Sequence, residues 1–142
     1  MRLLTLLFLL SLTLTSTAQK GNIYTITLNN KIIVTKTAWP PTAVPKATVA
    51  KASLKKINAL TVNIADTNAQ KDWHKIFIIT NENGEEIMRD EQKTNVGAFT
   101  LNLPIATNYS VYNIAVISTP NDANQAAVMR LRTIPIAAIT IK

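Results

Sequence analysis

The chain has no cysteine, one histidine and three glycines among its 142 residues. Without cysteine there is no disulfide framework, no thiol catalysis and no thiolate metal site. His74 has no second histidine or cysteine to join it, so a metal role for it is not expected. A Ser-His-Asp machine needs a presented nucleophile and an oxyanion hole. Beyond residue 18 the serines are Ser53, Ser110 and Ser118, and none lies in a Gly-x-Ser-x-Gly elbow. Long hydrophobic runs are also missing. The only apolar run, Leu3–Leu14, is about a dozen residues, too short to span a bilayer comfortably.

That run has another use. Arg2 precedes it, and Ser16, Thr17 and Ala18 are small residues ahead of Gln19. The pattern is that of a secretory signal peptide (residues 1–18) with cleavage after Ala18. The mature protein is expected to start at Gln19, to carry no transmembrane segment, and to be secreted or periplasmic. Its 124 residues suffice for one unaided core in one domain. The expected layout is an N-terminal hairpin and proline-rich crossover over 19–46, then a sandwich core over 47–142.

The chain is basic, with 15 Lys and Arg against 8 Asp and Glu. The charges are segregated. Between Lys20 and Lys75 the only acids are Asp66 and Asp72, whereas Glu82, Glu85, Glu86, Asp90 and Glu91 cluster around a single Arg89. A basic half can face a polyanion such as an acidic glycan or a lipid head group. Lysines also keep edge strands unpaired and soluble, and that second role is favoured here. Nucleic acid is not an expected partner, because the address is extracytoplasmic and no aromatic-basic interleaving appears.

Beyond the leader the apolar residues recur at period two, the signature of strands. In "IYTITL", Tyr24, Ile26 and Leu28 share one face; Asn29-Asn30 forms a tight turn, and "KIIVTK" returns. Pro40, Pro41 and Pro45 interrupt the pattern and mark the crossover. Then follow "ATVAKASL", "ALTVNIA", "HKIFIIT", "EEIMRD", "AFTLNL" and "YSVYNIAVIS", the last apolar on both faces like a central strand. Asn83-Gly84 predicts a hairpin turn with both residues at positive φ. "TPNDANQAA" reads as a loop, and "VMRLRTIPIAAITIK" as one long strand bent at Pro135. About eight or nine strands with frequent turns predict an all-β, antiparallel β-sandwich.

From about residue 47 onward this layout resembles immunoglobulin-like or fibronectin type III-like sandwiches. The resemblance rests on strand count and spacing and on Trp73 at the head of a core strand, which stands where those folds pack a central tryptophan. The whole also resembles small uncharacterised exported β-proteins of Gram-negative bacteria. Neither likeness implies an activity or a cofactor.

The candidate ligand-binding residues are Trp39, Trp73, His74, Lys71 and Lys75. Trp39, beside rigid prolines, is either a stacking platform or a plug for the core; the usual burial of tryptophan favours the plug. His74 is expected at a strand edge. Asp66, Asn68, Gln70 and Asp72 place oxygens at alternate positions, as a calcium loop begins. Lys71 stands where such a loop needs glycine, and no closing glutamate follows, so a polar loop is the better reading. The acids of the hairpin look like a solvated face and not like a pair of catalytic carboxylates. A non-enzymatic recognition or structural protein of the envelope is therefore expected, without cofactor. Its partner would be another protein, met along an exposed edge at "IYTITL" or "IPIAAITIK". An acidic glycan, held by tryptophan and lysine, is the alternative.

Overall fold

The computed structural model describes residues 22–104 and 109–142. The proposed signal peptide and its cleavage site lie outside them. The described residues form nine strands in two facing sheets. The first sheet has the order β2-β1-β4-β7 and the second β3-β9-β8-β5-β6. All pairings are antiparallel except that of β3 with β9. Among the described residues no helix is long and apolar enough to cross a membrane.

β1 (Ile23–Leu28) and β2 (Lys31–Ala38) are joined by Asn29 and Asn30 at φ 49° and 66°. Leu28 faces Lys31 across this two-residue turn. Asparagine tolerates positive φ, and Asn29 also ties the turn to β4: its Oδ1 accepts from the Ala59 amide at 3.0 Å. A β-branched residue at Asn30 would be strained there. Asn30→Val is expected to cost about 1–2 kcal/mol, read as a lower urea midpoint at unchanged slope, and Asn30→Gly to be nearly silent.

The proline-containing segment 39–45 carries the chain from the edge of the first sheet to the edge of the second, with a cis Trp39–Pro40 peptide bond. β3 (Lys46–Val49) runs parallel to β9, and a 3-10 turn at Lys51–Ser53 follows, so "ATVAKASL" is a strand only over its first three residues. β4 (Ile57–Ala65) lies between β1 and β7. The N-terminal hairpin is thereby part of the sandwich.

β5 (Trp73–Thr80) and β6 (Glu86–Glu91) flank a loop over Asn81–Glu85. Only Gly84 has positive φ there. The expected two-residue turn gives way because buried Asn81 organises the loop: its Oδ1 accepts from the amides of Asn83 and Glu85, each at 3.0 Å.

β7 (Gly97–Pro104) closes the first sheet, and β8 (Val111–Pro120) lies in the middle of the second. The segment after β8 departs from expectation. Ala123–Val128 is a helix, α1, and β9 spans only Thr133–Ile141. Asp122 caps α1 by accepting the Asn124 amide at 2.8 Å, and the alanines that follow favour the helix. Pro135 is tolerated inside β9 for a positional reason. The pairing with β3 begins only at Lys46–Ala138, and the register with β8 shifts between Ile114 and Ala115. Pro135 thus stands beside a bulge on one side and has no ladder to serve on the other.

The core joins the sheets. The Phe77 and Phe99 ring centroids are 5.3 Å apart, and buried Tyr24 donates its hydroxyl hydrogen bond to the Ile136 carbonyl of the other sheet at 2.7 Å. Phe77 fills the middle position expected of Trp73. Trp73 sits at the end of β5, partly buried, opposite Pro120.

Candidate functional site

The sequence candidates gather at one end of the sandwich. Trp39 is 8% exposed; its amide donates to the Asn22 carbonyl at 2.8 Å, and its ring meets Tyr24 edge-on, 5.8 Å between centroids. It plugs the core, and no open stacking platform exists at that position. β5 turns residues 73, 75, 77 and 79 toward the interior, which carries Lys75 inside at 1% exposure. Its Nζ sits 4.9 Å from the Trp39 ring centroid and donates to Asn95 Oδ1 and Ser118 Oγ, both at 2.8 Å. Burial pushes the Lys75 amine down to about 8, against the opposing pull of Asp66. Lys75 therefore belongs to the interior and not to a basic surface patch.

His74 points the other way. His74 is the second residue of β5, near the strand's end, and β5 itself lies between β8 and β6. Its Nδ1 is 2.7 Å from Asn121 Oδ1 and its Nε2 2.9 Å from Glu91 Oε1. Both ring nitrogens are thus engaged in tying three segments together, at the wall of a shallow depression shared with Gln92 and Lys93. Lys71 is exposed near Trp73 in sequence, outside the strand.

The loop 66–72 is held by its own hydrogen bonds. Asp66 Oδ1 accepts the Asn68 amide at 3.0 Å, an Asx turn, and the Gln70 carbonyl accepts from Asn95 Nδ2 at 3.0 Å. Asp72 contributes its carbonyl to the Asn121 amide at 2.8 Å. Among the described residues no group of three or more His, Cys, Asp or Glu is placed to hold a metal ion.

A feature not expected from the sequence lies on one flank of the sandwich. β2 ends the first sheet and β3 ends the second, and between them runs a groove of about 410 Å³. Leu28, Ile33, Val49 and Leu54 contribute to its floor, and Ile32, 60% exposed, stands in it with Lys31. Residues 22–65, which build this flank together with β1 and β4, contain six lysines and no acid. All six are exposed. A signal was present in the sequence: "KII" puts apolar side chains on both faces of a strand that ends a sheet. The edges expected at "IYTITL" and "IPIAAITIK" are not edges. β1 lies between β2 and β4, and β9 between β3 and β8.

Compared with protein-family models, curated proteins and solved structures, the chain matches none.

Proposed function

We propose that this is a non-enzymatic, exported β-sandwich of the cell envelope that recognises another protein along the flank formed by β2 and β3. The immunoglobulin-like layout suits such a module without dictating it. The observation that carries the reading is the groove: an apolar floor with Lys31 beside it, between two strands that end their sheets among the described residues, on a flank (residues 22–65) whose only charged side chains are lysines. An extended strand can add to either edge by main-chain hydrogen bonds while alternate side chains enter the groove. The lysines select a strand whose remaining side chains are acidic.

The test uses the mature protein and a peptide of alternating valine and glutamate. Binding, followed by fluorescence anisotropy, is expected to weaken about tenfold or more with Ile32→Asp, while the melting temperature holds. A valine–lysine peptide is expected not to bind. Binding indifferent to Ile32 would overturn the reading. Capture of a sulfated glycan, abolished by Trp73→Ala, would replace it with the glycan alternative, which now rests on Trp73 and Lys71 because Trp39 and Lys75 are inside.

A further inference from the structure

The two sheets present unlike outer faces. On the first, cross-strand rows read Thr25–Asn63–Ala98 and Thr27–Thr61–Thr100, and the last two hydroxyls are 3.1 Å apart. The middle of that face is polar, and its exposed apolar side chains, Ile32 and Ile57, stand at its margins. On the second sheet the equivalent rows are apolar in the middle. One reads Glu91–Ile76–Ile117–Thr133 and the next Arg89–Ile78–Ala115–Pro135. These residues alternate with Phe77, Ile79, Ile114 and Val116, which fill the core, so they point outward. Ile76, Ile78 and Ile117 remain partly exposed. The α-helix that follows β8, α1, buries none of its own side chains.

The rims of the face carry opposite net charge. On the β6 side stands Glu91, with a side chain 67% exposed, and two residues before it Arg89, whose charge is offset by its ion pair with Glu86. On the β9 side, exposed Arg130 and Arg132 lead directly into Thr133, the last member of the Glu91 row. A twofold axis along the strands, lying between two stacked copies, sets the β6 rim of each over the β9 rim of the other. It preserves the level along the strand, so Glu91 of one copy meets Arg132 of its mate, twice. Exposed Val128 and Met129, just ahead of Arg130, add apolar surface to the same rim.

We infer that the protein forms an isologous dimer by stacking the isoleucine face of its second sheet on the same face of a second copy. Two sheets packed this way sit about 10 Å apart with strands inclined by about 30°. This surface is distinct from the β2/β3 groove, so the dimer does not rest on the function proposed above.

Sedimentation velocity of the mature protein over a range of concentrations tests it. A monomer–dimer equilibrium is expected. Ile117→Lys, outward and outside the core, is expected to leave the melting temperature of the monomer unchanged and abolish the dimer. Glu91→Arg and Arg132→Glu are each expected to weaken dimerisation about tenfold or more, by like charges meeting twice. Their one-to-one mixture, and the double variant, are expected to recover it. A monomer at every concentration overturns the inference, as does a dimer indifferent to Ile117→Lys. Association lost instead with Ile32→Asp would assign self-association to the groove and overturn it as well.

Discussion

Between pH 8 and pH 10 the protein is expected to become more stable by about 2 kcal/mol, the reverse of ordinary alkaline destabilisation. The cause is Lys75. Its amine titrates at about 8 in the fold against 10.5 in the unfolded chain. In that window the unfolded chain binds more protons than the native one, so each rise in pH favours folding. Tyr24 acts in the opposite sense. Burial pushes its hydroxyl up to about 12 from 10, so the unfolded chain ionises first above pH 10 and stability falls again. The maximum should therefore lie near pH 10. Urea unfolding at closely spaced pH values measures it. Lys75→Met should flatten the rise. At pH 7 its net effect is small, because removing a buried charge offsets the acceptor left open at Asn95. A wild-type stability that is level or falling from pH 8 to 10 would contradict the buried amine, and so would a Lys75→Met variant that keeps the rise.

Lys75 also shows how far the sequence could be read. Strand period two was legible: Tyr24, Ile26 and Leu28 are buried as their spacing requires, as are Leu60, Val62 and Ile64. The same period, continued backward from Phe77, places Lys75 inside. Composition argues against it, since lysine is almost never buried without compensation. What permits it is the assembly of Trp39, Asn95 and Ser118 around the amine, from segments far apart in the chain. No local pattern announces such a meeting. Sheet edges were hidden for a related reason. Whether β1 or β2 is outermost depends on β4 pairing with β1 through Ile23–Ala65 to Leu28–Leu60, a long-range choice. The helix at Ala123–Val128 escaped on a smaller scale: one cap and six residues carry too short a period to register.

Phe77→Ala is expected to cost about 3–5 kcal/mol, whereas Trp73→Ala should cost about 1 kcal/mol. Size alone would rank the two the other way. Position decides it. Phe77 is fully buried in the middle of β5, with β8 and β6 on either side and the Phe99 ring of the opposite sheet 5.3 Å away at 52°. Its removal opens a cavity where the sheets meet, and flanking strands already held by their ladders cannot collapse to fill it. Trp73 is at the end of the same strand, beside loops that can adjust and solvent that can enter. A Phe77/Phe99 double-mutant cycle should return about 0.5–1.5 kcal/mol of coupling, the share due to the ring pair itself. Near-zero coupling would mean that Phe77 acts only by filling volume, and Phe77→Leu would then recover nearly all the loss. A Trp73→Ala change as costly as Phe77→Ala would put the centre of the core at the end of β5 and contradict the fold's inner register.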